Sequence, residues 1–292
     1  YSAEYPEVVH FETGKEIPGT GNSSPNSMSM YWISNSNMMT TLTAKYDLKL
    51  GQHAVNFLVG TSYEHYKSER LYSKRTDFVS DGLEDIEQGN NISKDLPDGR
   101  GIVESKMLSY FGRINYSYKD RYLFEANLRA DASSRFHKDN RWGWFPSFSA
   151  GWRISEESFM KPIAWLNNLK LRASYGTLGN INNVGYYDYF ELLSSNANYN
   201  FNDEPVKGVL EAQITNKTLG WETVALADFG LDVDLFDNKL SVTADYYIKN
   251  TKDLLLRADV PGSSGFSSAT LNVGKTQEQR FRAYFGNYQP EE

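Results

Sequence analysis

The sequence contains no cysteine, which excludes disulfide bonds and thiolate metal sites. It also has no uninterrupted apolar run of about 20 residues, the length that a helix needs to cross a bilayer. Basic residues are fewer than acidic ones, 30 against 37, so the formal net charge is -7 and no basic stripe supports nucleic-acid binding. These absences argue against a disulfide scaffold, a helical membrane protein and a nucleic-acid-binding surface.

Aromatic residues, by contrast, are abundant. The chain has 20 Tyr, 16 Phe and 6 Trp, which is 14% of its 292 residues, although hydrophobic residues reach only 40%. A membrane β-barrel has this kind of composition, because only alternate residues of each strand meet lipid.

Period-two alternation of apolar and polar residues is the main structural signal in the chain. The clearest example is a hairpin in which Leu108 to Tyr118 and Tyr122 to Ala130 alternate on both sides of a short turn. Similar runs predict about eight strands: 37–50, 55–70, 108–119, 122–131, 145–154, 168–177, 229–235 and 240–249.

The connections between these runs are sorted by length. Tight turns are predicted at 50–52, 119–121 and 237–238, and a helical or turn segment at 155–165. Long polar segments follow Tyr66, Asp131, Thr177 and Asn250. Short periplasmic turns at one end and long extracellular loops at the other are typical of an outer-membrane barrel, whereas a soluble sandwich has no reason to sort its connections. The sequence therefore predicts an all-β, transmembrane, antiparallel β-barrel.

One face of these strands carries charged side chains that a packed core would not accept. The predicted wall residues that face a water-filled lumen are Arg113, Glu125, Arg129, Arg153, Arg172, Asp232, Asp234 and Asp245. We expect them to form ladders that stiffen the wall, rather than to bind substrate directly. A solvated face of a soluble sheet remains the alternative at this point.

Three tyrosines, Tyr116, Tyr118 and Tyr122, lie beside one short turn. They fit an aromatic girdle at the level of the lipid headgroups. Tyrosine is also common in the strands of ordinary sandwiches, so this pattern favours a barrel without requiring one.

Two long blocks closely resemble the SusC/RagA class of TonB-dependent outer-membrane receptors. They are Arg141–Glu157 (RWGWFPSFSAGWRISEE) and Leu166–Asn180 (LNNLKLRASYGTLGN), and a third region from Leu219 to Leu255 agrees with them. The resemblance covers about residues 37–275. It implies part of a 22-stranded barrel that is filled by an N-terminal plug, energised by the TonB complex, and located in the outer membrane of a Bacteroidetes-type bacterium.

The same resemblance implies a partner and a substrate class. A SusD-like surface lipoprotein caps such barrels, and the imported nutrient is bulky and polar, usually a glycan and less often a peptide. The resemblance implies no cofactor and no enzymatic activity. The alternative function is a non-catalytic glycan-binding β-protein at the cell surface, and a third possibility is an assembly scaffold for the lipoprotein.

The resemblance also suggests boundaries. Residues 1–275 are expected to belong to the barrel, whereas 276–292 are an uncertain tail or a discontinuous segment, because the family's continuation after Lys275 is replaced and only a weak strand at 280–288 remains. The plug and the TonB-contact segment are absent from this chain. Residues 1–5 lack the charged and apolar parts of an export signal, so we expect the chain to begin within a longer protein.

Two aromatic clusters are candidate contacts for substrate or lipoprotein. Trp142 and Trp144 follow Arg141 in a predicted loop, where they could stack on sugar rings while Arg135, Arg141 and Asp139 bind hydroxyls. Packing of the loop base is the favoured alternative for them, because Trp mostly contributes buried area. The second cluster, Tyr186, Tyr187, Tyr189 and Phe190, lies in the long segment 178–218 near the predicted extracellular mouth.

Other chemistry has little support in the sequence. The four histidines, at 10, 53, 65 and 137, show no metal-ligand spacing. The acidic segment with Asp81, Glu84, Asp85 and Glu87 could attract calcium, but its spacing matches no known loop. Asp232 and Asp234 share one strand face, whereas acid–base catalysis of glycoside hydrolysis needs carboxylates on opposite sides of the substrate. We therefore predict no metal site and no catalytic residue.

Overall fold

The computed structural model of the protein describes residues 8–12, 27–76, 78–79, 85–89, 99–201 and 204–287. These residues form antiparallel strands joined by turns and three one-turn 3-10 helices, at Ile86–Gln88, Ile154–Glu156 and Gly262–Ser264. The strands are β1 Val8–Glu12, β2 Ser27–Leu50, β3 His53–Thr76, β4 Gly99–Tyr118, β5 Tyr122–Ser133, β6 Trp142–Arg153, β7 Leu166–Asn180, β8 Leu193–Phe201, β9 Glu204–Glu211, β10 Glu222–Leu235, β11 Leu240–Lys252, β12 Leu255–Asp259, β13 Ser268–Asn272 and β14 Lys275–Asn287. No helix in this described part of the chain is long and apolar enough to span a membrane.

Ten strands form one sheet in the order β1-β2-β3-β4-β5-β6-β7-β10-β11-β14. The strand pairs of the described residues are antiparallel, and nearly every strand lies beside its neighbour in the sequence. The hairpins β8–β9 and β12–β13 are separate two-stranded sheets. The predicted all-β antiparallel fold is confirmed. A sandwich does not fit, because the described residues contain one large sheet rather than two that pack face to face.

The chain divides into two compact units. The first comprises residues 1–39 and 64–106, and the second comprises residues 40–63 and 107–292. Strands β2, β3 and β4 contribute residues to both units. The features described next lie in the second unit.

Alternation gives the sheet of the second unit one apolar face. One row across six strands consists of Phe124, Ala150, Ala173, Phe229, Tyr246 and Phe281. Large and small apolar side chains share this row, and Phe229 is 55% exposed. A water-facing surface would leave these rings uncovered, so this face is suited to lipid.

The short turns use left-handed backbone conformations. Lys119 and Asp120 both have φ of 54°, and the consecutive residues Phe236, Asp237 and Asn238 have φ of 55°, 57° and 62°. Positive φ at consecutive central residues matches the right-handed twist of the two flanking strands. All three predicted tight turns are therefore confirmed.

Several strands are longer than the alternation predicts. β2 begins at Ser27 rather than near 37, β4 at Gly99 rather than near 108, and β6 at Trp142 rather than at 145. The segments after Thr177 and Asn250 are not wholly irregular either, since they contain the hairpins β8–β9 and β12–β13. The sequence did not reveal β8–β9 because polar residues and Gly208 interrupt its alternation.

The last described strand, β14, pairs with β11 along its whole length. Tyr246 lies opposite Phe281 and Asp245 lies opposite Arg282, so β14 keeps the apolar and polar faces of the sheet. The strand begins at Lys275, before the predicted start at 280. Residues 288–292 lie outside the described residues, and the division at 275 remains a prediction.

Candidate functional site

The polar face of the second unit is organised around Arg172 of β7. Its Nε and Nη2 donate to the two oxygens of Asp232 on β10, at 2.7 and 3.0 Å. Nη2 also donates to Asp245 Oδ1 on β11, at 2.9 Å, so one guanidinium joins three strands. Such paired charge-assisted hydrogen bonds are among the strongest that side chains form.

Gly230 makes this bridge possible. It pairs with Arg172 on one side and with Asp245 on the other, so the guanidinium must pass directly over it. A Cβ atom at Gly230 would lie 2.6 Å from Arg172 Cζ and 2.7 Å from Asp245 Oδ1. A glycine in the middle of an alternating strand is a sign of such close approach, although we did not use that sign in the sequence analysis.

A second polar cluster adjoins the first. Asp234 accepts hydrogen bonds from Asn168 Nδ2 at 3.0 Å and from Ser241 Oγ at 2.7 Å. Asp232 also accepts from Thr243 Oγ1 at 3.4 Å. The three predicted wall aspartates therefore accept hydrogen bonds from neighbouring strands, and their place on the wall of a lumen stays a prediction.

Farther along the sheet, the remaining predicted wall residues pair locally. Arg113 Nε donates to Asn127 at 2.6 Å, and Asn127 donates to Glu125 at 2.7 Å. Arg129 Nη2 donates to Ser109 Oγ at 2.9 Å, and its Nε lies 2.8 Å from the Asp131 carboxylate. Arg153 reaches only the carbonyl of Asp120, at 3.4 Å, and is the least constrained of the set.

A cleft of about 730 Å³ opens beside these clusters. Its lining includes Asn56, Glu125, Ser149, Lys170, Arg172 and Asp228. Among the residues that the structure describes, Lys170 and Asp228 have no hydrogen-bond or ion-pair partner. Together with Lys49, which also lines the cleft without such a partner among the described residues, they are the charges that remain available to a ligand or to another protein segment.

The loops of the second unit form a packed body, which we call the loop core. Its centre comprises Phe136, Val184, Leu219 and Leu255, each at most 3% exposed. Ile181 and Trp221 pack against them. The loop core therefore joins the segments after β5, β7 and β11 with the segment before β10.

Two polar side chains tie the β12–β13 hairpin to this core. Glu222, only 6% exposed, accepts from Leu255 N at 3.1 Å and from Asn180 Nδ2 at 3.0 Å. Asn272 accepts from Gly220 N at 2.8 Å and donates to the Gly220 carbonyl at 2.9 Å. Sequence reasoning did not single out these residues, because each acts on a partner far away in the sequence.

Replacing Glu222 by alanine should loosen the β12–β13 hairpin. The change leaves the Leu255 amide and the Asn180 side chain without their shared acceptor, at a cost of about 1.5–3 kcal/mol for hydrogen bonds to a charged group. Hydrogen exchange of the amides in 255–272 should become faster in the intact receptor. Glu211→Ala removes an exposed carboxylate and is the control; equal protection in the two variants would contradict the clamp.

The tyrosines of the second predicted cluster contact residues of neighbouring loop segments. Tyr186 lies under the Arg135 guanidinium, 4.3 Å from ring centroid to Cζ, and Arg135 Nη1 donates to the Val184 carbonyl at 3.1 Å. Tyr189 contacts the His137 ring edge-on at 6.3 Å. Tyr187 is half-buried, and its carbonyl accepts from Gln213 at 2.9 Å. The contact role of these tyrosines stays a prediction.

Arg141 also forms hydrogen bonds with the loop segments. Its Nε donates to the Phe136 carbonyl at 3.2 Å, and its own carbonyl accepts from Trp221 Nε1 at 2.8 Å. These contacts fit the packing interpretation of the block that begins at Arg141.

The placement of Trp142 and Trp144 in a loop is wrong, because both lie in β6. They pair with Ala132 and Ala130 and share the apolar face, where they are 45% and 63% exposed. Trp142 stacks on Tyr110, with centroids 6.0 Å apart. The structure therefore does not bring them together with Tyr186, Tyr187 and Tyr189, and their role as substrate or lid contacts is untested.

At the short-turn end, aromatic rings follow one another across the strands. Tyr118 stacks on Tyr122 at 6.2 Å, and Tyr122 stacks on Trp152 at 6.3 Å. Glu157, in the connection between β6 and β7, accepts from Tyr122 OH at 2.7 Å and from Trp152 Nε1 at 3.3 Å. Arg121 Nη1 lies 3.1 Å from its other oxygen.

These donors hold the pKa of Glu157 below the ordinary glutamate value of 4.5, with the Tyr122 hydroxyl as the largest cause. The ionised Glu157 therefore stabilises the folded state fully above its unfolded-state pKa. This stabilisation is lost as pH falls through the lower pKa of the folded state. In Glu157→Gln, the loss of thermal stability on acidification below about pH 4.5 should be smaller than in the unsubstituted receptor. Unfolding temperatures measured between neutral and acidic pH test this, with exposed Glu156→Gln as control; identical pH profiles for E157Q and E156Q would contradict it.

The acidic segment and the histidines show no shared site. Asp81 and Glu84 lie outside the described residues, and Asp85 Oδ1 accepts from the Glu87 amide at 3.0 Å. His53 contacts Tyr116 OH at 2.8 Å, His65 contacts Glu104 at 2.6 Å, and His137 contacts Asp139 at 3.2 Å. The side chain of His10 is not described. Within the described ranges, no three His, Asp or Glu side chains are grouped as metal ligands.

The chain is similar in sequence to one protein family and to individual receptors. Residues 5–282 match the sequence profile of the family described as TonB dependent receptor-like, β-barrel. TonB-dependent receptor P39 of Formosa agariphila is 35% identical over 228 residues, which is 78% of this chain and 21% of that receptor. TonB-dependent receptor SusC of Bacteroides thetaiotaomicron is 32% identical over 245 residues, 82% of this chain and 24% of SusC.

Solved structures agree with the sequence matches. The RagAB peptide importer in its closed-closed state superposes with a TM-score of 0.81 and 28% identity, covering 91% of this chain and 29% of that chain. The chain thus spans about a quarter of the length of the relatives it matches.

Proposed function

This chain belongs to the TonB-dependent receptor-like β-barrel family, and we propose that it forms part of the wall of an importer for a bulky polar nutrient. Import would be driven by the TonB complex. The cargo is proposed to be a glycan, with an oligopeptide as the second possibility, and a SusD-like surface lipoprotein is the proposed partner.

The location of the chain follows from its family. It is an outer-membrane protein of a Bacteroidetes-type bacterium, and its strands are part of a TonB-dependent receptor barrel. The ten-stranded sheet is not closed by the described residues. In such barrels the apolar face meets lipid and the polar face meets the lumen.

The observation that carries the import proposal is the sorting of the two faces in the second unit. Exposed rings such as Phe229 and Phe148 occupy one face, whereas Arg172, Asp232 and Asp245 are bonded together on the other. A wall whose charges are satisfied by its own strands can pass a polar solute without trapping it. Lys49, Lys170 and Asp228 then remain as the charged contacts that the wall offers.

The glycan cargo and the lipoprotein partner are proposed from the resemblance to the SusC/RagA class, and the relatives support the oligopeptide possibility. SusC and the RagAB peptide importer are both similar to this chain, and the second is a peptide importer by its description. In this proposal the lipoprotein contacts the outer surface of the loop core. The β8–β9 hairpin adds exposed rings, Tyr199 at 68% and Phe201 at 66%, for such a contact.

Uptake by whole cells tests the import proposal. Cells that express the full receptor should accumulate a labelled oligosaccharide cargo only while TonB is present, and surface binding should persist without TonB. Uptake that is unchanged after TonB removal would contradict energised import. An oligopeptide that is taken up while every tested oligosaccharide is refused would instead favour the peptide.

Deletion of the β8–β9 hairpin tests the partner. Ala212 N donates to the Leu192 carbonyl at 2.8 Å, so the two ends of the hairpin are close enough to be joined by a short turn. Removal of 193–211 should reduce co-purification of the lipoprotein while the barrel still shows its gel shift on heating. Full co-purification with the shortened receptor would contradict a contact at this hairpin.

A further inference from the structure

A cleft of about 440 Å³ lies in the first unit, apart from the features described so far. It is lined by Tyr31, Arg70, Tyr72, Gly99, Arg100 and Gly101. The Tyr31 and Tyr72 rings pack together at one side, with centroids 4.8 Å apart and planes inclined by 38°. Small-ligand sites are commonly clefts of about 300–1,000 Å³, so this volume suits one or two sugar rings.

Glu69 neutralises Arg100, one of the two arginines that line the cleft. Its carboxylate accepts from Arg100 Nε at 2.6 Å and lies 3.2 Å from Lys67 Nζ. Two cations therefore already share this carboxylate, which is only 19% exposed.

Arg70, the other arginine of the cleft, follows Glu69 directly in β3, so its side chain lies on the opposite face of the strand and does not share that carboxylate. Its side chain is exposed, and it forms no hydrogen bond or ion pair with any residue in the part of the chain that the structure describes. An arginine guanidinium presents a planar fork of donors that matches a carboxylate or a sulfate group. The chain carries a net charge of -7, so this uncompensated cation is a local exception.

Two glycines keep the cleft open. A Cβ atom at Gly99 or at Gly101 would meet no atom within 4 Å, so no packing constraint demands glycine there. Side chains at these positions would instead project into open space. Their absence leaves room beside Arg70 and Tyr72.

We propose that this cleft binds an acidic sugar unit of the imported glycan, with its carboxylate or sulfate group on Arg70. The tyrosine pair offers an apolar ring surface to the sugar and hydroxyl groups at its edge. The inference rests on the proposed import function, because it specifies the chemistry of the cargo. An acidic peptide could satisfy Arg70 equally well, but its backbone would make less use of the ring surface.

Binding to the full receptor in detergent tests the assignment. The probes are a galacturonate tetrasaccharide, a sulfated galactan tetrasaccharide, the neutral galactose tetrasaccharide and a tetraglutamate peptide, each followed by calorimetry. Arg70→Gln should weaken binding of an acidic saccharide by about tenfold or more, because one charge-assisted pair is lost. Arg70→Lys should recover part of that loss, and Arg257→Gln, on the exposed β12–β13 hairpin, should change nothing.

A second variant fills space in the cleft without altering its charge. Gly101→Leu should fill space beside Arg70 and weaken the acidic saccharide by a similar factor, since a leucine there meets no protein atom that would oppose folding. Because neither Arg70 nor Gly101 supports a contact in the fold, both variants should keep the gel shift of the folded barrel.

Each remaining outcome overturns the proposal. Unchanged binding of both acidic saccharides in R70Q, equal losses for acidic and neutral saccharides, or no binding of either acidic saccharide by the unsubstituted receptor would do so. A tetraglutamate peptide that binds more tightly than the saccharides and depends on Arg70 would assign the cleft to peptide. TonB-dependent uptake is measured separately. If uptake is normal and R70Q binds the acidic saccharides as well as the unsubstituted receptor does, the cleft assignment is wrong while the import proposal stands.

Discussion

Phe136→Ala should destabilise the loop core by about 3–5 kcal/mol, the usual cost of truncating a buried phenylalanine. The Phe136 side chain is fully buried among Val184, Leu219 and Leu255, and its ring lies 5.4 Å from that of Trp221. Alanine would leave a cavity that four separate loop segments line. Limited proteolysis of the intact receptor should then cut the segments 134–141 and 181–192 much faster.

The control for this variant is Phe190→Ala in the same loops. Phe190 is 55% exposed, so the same truncation there should change stability by no more than about 0.5 kcal/mol. The barrel itself should keep its gel shift in both variants, because the strands do not depend on Phe136. Equal proteolysis of F136A and F190A would show that the loops do not share a core.

Arg172→Ala should destabilise the barrel wall by about 2–3 kcal/mol. The substitution leaves the carboxylates of Asp232 and Asp245, which are diagonal neighbours on adjacent strands, without the cation that bonds both. Loss of one partner from a buried ion pair costs about 3–5 kcal/mol, and this pair is partly exposed, which lowers the figure. Urea unfolding of the receptor in detergent, followed by the gel shift, measures the change.

Two companion variants sharpen this test. Arg172→Ala combined with Asp245→Asn should recover part of the loss, because one unpaired charge has been removed. Arg153→Ala, whose guanidinium reaches only one carbonyl at 3.4 Å, should cost little. If R172A is as stable as R153A, the three-strand network contributes nothing to the wall.

Gly230→Val should have a similar effect to R172A by a different route. Its Cβ would occupy the space that the Arg172 guanidinium fills, so the side chain must leave Asp245. If Gly230→Val and Arg172→Ala destabilise the wall by the same amount, the effect of Arg172→Ala comes from the lost bond to Asp245. It does not come from the loss of the arginine side chain itself.

The hairpins of the sheet could be predicted from sequence because their signal is local. In the strands β4 and β5, alternation alone places Tyr110 and Ala130 on one face and Arg113 and Asn127 on the other, and the observed register agrees. The tight turns were equally local, since a few polar or glycine residues between two alternating runs define each of them.

Features that depend on distant residues could not be predicted in this way. Trp142 and Trp144 follow a polar segment, and only the pairing of β6 with β5 shows that they belong to a strand and to its apolar face. The bond from Arg172 to Asp245 crosses an intervening strand, so no pattern within one strand reveals it. Arg70 attracted no attention in the sequence because its significance lies in its position in a cleft built by three strands, which no pattern within one strand reveals.

The clamp at Glu222 has a consequence for the order in which the protein folds. It is the first residue of β10, and it bonds to the end of β7 and to the start of β12. Closing such long stretches of chain costs entropy before any contact repays it, so the strands must first bring these ends together. We therefore expect the contacts of Glu222 to form only after β7 and β10 have paired.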